Sequence, residues 1–287
     1  MSRKLYTQTA LGLILGSTAM AEAPSVAVDI APVHSLVARV MDGVGAPNLI
    51  IPPGASPHEY SLRPSEAQSL QDADIVFWIG EDLTPWLEKS IDTLSQNAEI
   101  TTLLDQSETK LLKFCENALF EAHDHDDHDD HDDHDHDKSH DDHEDHDEHD
   151  HDKSHDDHEG HNHGTHDPHA WLSIDNAQSW LNVFAAKLSA VDPENAGVYY
   201  GNAASAIAEL DVVEKKINAT LDPVRGNSFV VFHDAYQYFE NSFEFFAAGA
   251  ISLGDASDPS AARIAEVQGR IKNEGIDCIL SEPQYNA

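Results

Sequence analysis

The chain has 287 residues, 53 of them acidic against 16 basic, for a formal net charge of −37. That length allows one or two domains with a sizeable core. Charge of that sign argues against nucleic acid or an anionic membrane surface as a partner.

The N-terminus carries Arg3 and Lys4, an apolar stretch from Ala10 to Leu15, and a small-x-small site at Ala19–Ala21. This pattern predicts a signal peptide over 1–21, with the mature chain starting at Glu22; a buried first helix is the alternative. No cysteine follows the cleavage point and no later stretch reaches about 18 apolar residues. The mature protein is therefore expected to be exported and soluble, without stable membrane insertion or a lipid anchor.

Residues 25–30 read as a strand, 34–43 as an amphipathic helix stopped by Gly43, and 46–51 as a strand ended by Pro52 and Pro53. A helix with Ser65 as its cap covers 64–73, a strongly apolar strand 74–80, a helix with Pro85 in its first turn 83–94, and a weaker strand 98–104. Near-continuously apolar strands alternating with helices predict a parallel sheet covered on both faces.

Segment 121–168 then interrupts this lobe. It holds 16 of the 20 histidines and 22 acidic residues against two lysines, and "HDHDKSHDDHE" occurs in it twice, at 134–144 and 149–159. Almost no apolar residue is available to offset ordering entropy, so 121–166 is predicted to be a disordered insertion. Its imidazoles, His123, His125, His128, His131, His134, His136, His140, His143, His146, His149, His151, His155, His158, His161, His163 and His166, are candidates for auxiliary weak metal sites. Close spacing raises their effective concentration, while chain entropy keeps each site weaker than a preformed cleft. The segment suits a collector, a buffer or a sensor of metal, and a solvated acidic linker is the bland alternative.

After the insertion, 173–191 reads as a helix. Residues 192–222 form the longest helical pattern, with apolar positions Val198, Ala206, Leu210, Val213 and Ile217 and a stop at Pro223. At about 1.5 Å per residue such a helix spans roughly 40 Å, enough to link two lobes. A second alternating block follows: a strand over 228–232 running into a helix near 234, apolar chain for a strand in 243–253, a helix started by Pro259 over 259–275, and a strand with its exit loop over 276–284. The expected organisation is α/β: a first lobe over 22–191, a linker helix over 192–222 and a second lobe over 223–287 with too few elements to be complete. Cys278 falls inside a predicted core strand, and Cys115 lies just before the insertion.

Four histidines lie outside the insertion. His58, His169 and His233 sit where predicted strands give way to loops, the end of an α/β fold where ligands collect. Three imidazoles converging there would make a good zinc site. Their separation in sequence matches no short zinc pattern, so ordinary loop positions remain the competing reading. His34, early in a helix, reads as structural or surface.

The residues around these histidines carry a resemblance. "GASPHEYSLRPSEAQSL" (54–70), "DPHAWLS" (167–173), "VFHDAYQYF" (231–239) and "SEPQ" (281–284) resemble the metal-binding components of bacterial metal-uptake ABC importers, and within them the periplasmic zinc-binding proteins of high-affinity zinc importers. The resemblance spans roughly 24–120 and 167–287. It implies two Rossmann-like lobes with parallel sheets, a long rigid helix between them, metal held between the lobes, and delivery to an inner-membrane permease from the periplasm. It places His58, His169 and His233 on the three metal positions and implies Zn²⁺ as the ion bound. Manganese-type relatives tend to carry a carboxylate where His233 stands, and three imidazoles favour zinc.

Two departures stand out. Some zinc members have a glutamate where this chain has Pro57; Glu59 follows the histidine instead, and neighbouring side chains of extended chain point apart. Glu59 is thus a weak candidate for the fourth position, with water the default. Relatives also continue beyond the segment matching "SEPQYNA", and the resemblance implies that the usual partner of Cys278 lies in that part. Free zinc and the permease are the implied partners. Zinc storage or buffering is the alternative function. A zinc hydrolase, with Glu59, Asp167, Asp234 or Glu282 as base, is a remote third with no enzyme pattern behind it.

Overall fold

The computed structural model describes residues 23–113, 166–252 and 259–282. The predicted leader 1–21, Cys115 and every insertion histidine except His166 lie outside the described residues.

The first lobe is built from β1 (Val26–Val28), α1 (Ala31–Val40), β2 (Asn48–Leu49), α2 (Pro64–Gln71), β3 (Ile75–Trp78), α3 (Pro85–Leu94) and β4 (Glu99–Thr102), with α4 (Ile174–Val191) added after the insertion. Its four strands are parallel in the order β2-β1-β3-β4. The apolar runs predicted as strands are longer than the strands formed, because only their centres pair. α1 begins at Ala31, three residues before the predicted start, since Pro32 suits a first turn whose amide needs no partner. In α2 the cap is Arg63, whose backbone N–H donates to the Glu66 carboxylate at 2.7 Å; Ser65 lies inside the helix. The core joins both faces of the sheet, with Phe77 meeting Phe184 of α4 edge-on at 4.8 Å.

α5 (Ala196–Leu221), entered through a 3₁₀ turn at Pro193–Asn195, is the long connecting helix. Tyr199, Ala203 and Ala206 pack its N-terminal half against the first lobe, the i, i+4, i+7 spacing of one helix face. Val198 and Val213, apolar positions in the sequence pattern, are exposed: Val198 falls off that face, and Val213 continues it in the C-terminal half, where no buried α5 residue is found. The C-terminal half runs on to a smaller lobe of β5 (Phe229–His233), α6 (Gln237–Phe243), β6 (Gly249–Ser252), α7 (Ala261–Glu274) and β7 (Cys278–Leu280). That sheet is parallel with the order β6-β5-β7. α7 starts at a Ser260 cap, which accepts from the Arg263 amide, rather than at Pro259. It ends on Gly275 at φ 67°, a left-handed C-cap that glycine adopts without strain. Cys278 is exposed and not in a core: among the described residues β7 lies outermost in its sheet, with all three of its residues open to solvent. Among the described residues no helix is long and apolar enough to cross a membrane.

Asp29 stands at the carboxyl ends of β1 and β3, where strand order reverses. It is fully buried, and its two carboxylate oxygens accept from the amides of Ile30 and Ile79, each at 2.7 Å. Burial pushes its pKa up to about 7 against the pull of those amides. Between about pH 4 and about pH 7 the unfolded chain ionises this group while the folded chain keeps it protonated, so Asp29 costs stability as pH rises through that window. Asp29→Ala strands two buried donors and is expected to lose about 2–4 kcal/mol near pH 4. The deficit relative to wild type should narrow toward pH 7 in urea unfolding at each pH; a deficit constant with pH would contradict the assignment.

Candidate metal centre

The centre is assembled at the carboxyl ends of both sheets. His58 lies in the connection from β2 to α2. The Trp86 indole, in the first turn of α3, donates to the Pro57 carbonyl at 2.7 Å and fixes that loop. Tyr60, whose ring lies 5.8 Å from that of Trp86, donates to Glu66 at 2.8 Å and braces the other side. His169 follows the insertion and caps a 3₁₀ turn at Ala170–Leu172. His233 is the last residue of β5.

One ligand nitrogen from each of His58, His169 and His233 lies within 4.8 Å of the others, so residues far apart in sequence meet between the lobes. His169 and His233 are buried, and His58 is partly exposed on the open side. Ring centroids are 5.3 Å apart for His169 and His233 and 5.4 Å apart for His58 and His169. The Nε2 atoms of His169 and His233 face each other at 3.4 Å.

Each buried imidazole has a carboxylate behind it. His169 Nδ1 donates to Asp167 at 2.6 Å, and the same oxygen accepts the His169 amide at 2.9 Å. His233 Nδ1 donates to Glu282 at 2.5 Å, from the chain leaving β7. Glu282 also accepts from Tyr236, whose pKa is pushed up to about 12 by burial and then by the charge and hydrogen bond of Glu282. A carboxylate that takes the Nδ1 proton fixes the tautomer, turns the Nε2 lone pair inward and raises its basicity.

Asp167 and Glu282 therefore serve the histidines. In the sequence they stood only as remote candidates for a hydrolytic base; the readable signal was an acid two residues before His169 and another just past a strand end. Asp234 is buried beside His233 and is not part of the trio. Glu59 is exposed and lies outside it as well. His34 is structural: its Nε2 bonds the Pro47 carbonyl at 3.0 Å and ties α1 to the start of β2. His166, the one insertion histidine among the described residues, pairs with Lys113 in an isolated antiparallel bridge at the base of the insertion.

Known proteins share this organisation. Across 279 residues the chain is 48% identical to the high-affinity zinc uptake system protein ZnuA of Paracoccus denitrificans (strain Pd 1222), covering 96% of this chain and 82% of that one. It is 46% identical over 270 residues to the protein of the same description from Brucella abortus (strain 2308), covering 94% and 80%. A crystal structure of ZnuA superposes with a TM-score of 0.68 at 18% identity, over 92% of this chain and 84% of that chain. Zn(II)-bound AdcA from Streptococcus pneumoniae superposes with a TM-score of 0.60 at 22% identity, over 89% and 45%; at such identities these two support the fold. The family described as zinc-uptake complex component A, periplasmic, matches residues 26–287, and the chain belongs to that family.

Proposed function

We propose that this protein captures Zn²⁺ in the periplasm between its two lobes, on His58, His169 and His233, and presents it to the inner-membrane permease of an ABC importer. It performs no chemical step on its cargo, in keeping with a transport family. The observation that carries the reading is the 3.4 Å between two inward Nε2 atoms whose rings are each held by a carboxylate. Tetrahedral zinc with bonds of about 2.0–2.1 Å requires ligand nitrogens about 3.3–3.4 Å apart. With both Nδ1 atoms protonated, the two lone pairs repel until a cation lies between them. His58 closes the third corner from the exposed side, and water is the proposed fourth ligand. Three imidazole ligands favour zinc over manganese, which prefers oxygen ligands.

Proteoliposomes carrying the partner permease and ATPase test this reading. Zinc-loaded protein is expected to drive uptake of labelled zinc; tight binding without uptake would leave storage or buffering as the function.

Two further outcomes are expected. Glu282→Ala removes the hydrogen-bond acceptor that holds His233 without touching a ligand, and should weaken zinc binding by about 10–100-fold in calorimetry. An unchanged affinity would show that His233 needs no such support. The exported protein should begin at Glu22, which N-terminal sequencing checks; retention of Met1 would overturn the leader assignment.

A further inference from the structure

Tyr238 belongs to α6 of the second lobe, yet its ring is buried in the hydrophobic core of the first. Its hydroxyl donates to the Asp167 carbonyl at 2.9 Å and accepts from the Leu112 amide at 3.0 Å. One phenol thus uses its donor and an acceptor site on the two chain segments that flank the insertion. Those segments also bind each other, through the Asp167 amide and the Leu112 carbonyl at 2.8 Å. Burial, with the charge of Asp167 adding to it and the Leu112 amide opposing, raises the Tyr238 pKa to about 12, so the hydroxyl remains a donor.

The residue it grips is the one that aims His169. Asp167 is held by its backbone to Tyr238 and by its side chain to His169 Nδ1. Five residues before Tyr238, across a tight turn in which the Ala235 amide donates to the His233 carbonyl at 3.0 Å, the chain carries His233. The contacts form a ring: His233, the turn, Tyr238, Asp167, His169, and back across the 3.4 Å gap to His233. Every link but the last is covalent or hydrogen bonded, so the length of the gap follows from the others.

Resting on the zinc-capture reading, we propose that Tyr238 is the positioning residue that registers one lobe against the other and sets the His169–His233 gap to the size of Zn²⁺. It acts through Asp167 and touches no metal. A gap held at zinc's ligand spacing discriminates against a larger cation such as Cd²⁺, which needs its ligand nitrogens farther apart. Releasing the hydroxyl lets the lobes shift, which weakens zinc and relaxes that discrimination.

The test is Tyr238→Phe in the full chain, which keeps the ring and its packing and removes only the hydroxyl. The weak sites expected of the insertion histidines are masked by titrating against a chelator strong enough to outcompete them, so that only the tight site is read. Zinc affinity is expected to fall about tenfold, the low end of the range for outer-shell partners. Cadmium affinity should fall less, so the zinc-to-cadmium ratio drops, and the absorption bands of the Co²⁺-loaded protein should shift. A purely structural hydroxyl would lower the melting temperature and leave the ratio and the bands unchanged, which would overturn the proposal. Should the Phe variant fail to fold, amide exchange on the wild-type protein decides. Coupling is reciprocal, so zinc should slow exchange at Leu112 more than at core amides of α1, and an equal or smaller effect at Leu112 would overturn the proposal. If His233→Ala binds zinc as tightly as wild type, the capture reading itself fails; if that variant loses zinc while Tyr238→Phe behaves as wild type, only the role of Tyr238 fails.

Discussion

His233→Ala is expected to remove the tight zinc site, weakening it by more than about 100-fold, since losing even an outer-shell partner costs about 10–100-fold. The imidazole is buried and is one side of the 3.4 Å nitrogen pair, so its loss opens the site at one corner. The loss should also appear in stability. Zinc at a hundredfold excess over Kd stabilises a folded protein by about 2.7 kcal/mol. The melting temperature of wild type should rise accordingly on adding zinc, and that of the variant should not. Removing the imidazole takes a hydrogen-bond donor from the buried Glu282, so a modest loss of stability without metal is expected too. Calorimetry on a background lacking the insertion histidines isolates the site, and an unchanged tight affinity there would take His233 out of the zinc shell.

Deleting 123–163 is expected to lower zinc stoichiometry from several ions to about one while the fold survives. The deletion removes fifteen histidines and none of His58, His169 or His233. The ends it leaves are already joined, by the Lys113–His166 bridge and by the Asp167 amide to the Leu112 carbonyl at 2.8 Å. Keeping His166 preserves that bridge. Residues 114–165 number 52, and the deletion leaves 11 of them to close the loop. Each doubling of loop length costs about 0.6 kcal/mol, so the shortened protein should be more stable by about 1 kcal/mol. Equilibrium dialysis reads the stoichiometry and urea unfolding the stability. If the shortened protein folds and binds no zinc tightly, the main site belongs to the insertion and the cleft reading is wrong.

Pattern alone carried much of the architecture. Apolar runs such as Ile75–Trp78 separated by helix formers imply parallel strands with covered faces, and Pro85 and Gly275 mark a helix start and a helix end by their own dihedral limits. The long connecting helix was legible for the same reason, since helical propensity and the absence of internal proline are local properties. How its apolar positions are used was not legible: Val198 lies off the face that α1 and α4 cover, and Val213 lies on that face beyond the length they cover, though both are as apolar as the alanines at 203 and 206. Cys278 was misplaced for a related reason, because an apolar strand at a sheet edge and one at its centre have the same sequence.

The sequence by itself determined the residue types and their positions at strand ends: three histidines outside an acidic, histidine-laden insertion, within motifs that resemble those of zinc-uptake proteins. Side-chain chemistry belongs to the residue, so imidazole's suitability for zinc needs no fold. Only the tertiary structure decided that these three meet, that Asp167 and Glu282 stand behind two of them as orienting carboxylates, and that a tyrosine from one lobe holds the Asp167 backbone of the other. Each of these is a long-range distance across a cleft. It follows from how two sheets and a connecting helix pack, a sum of many contacts spread over the chain, and no local stretch of sequence contains it.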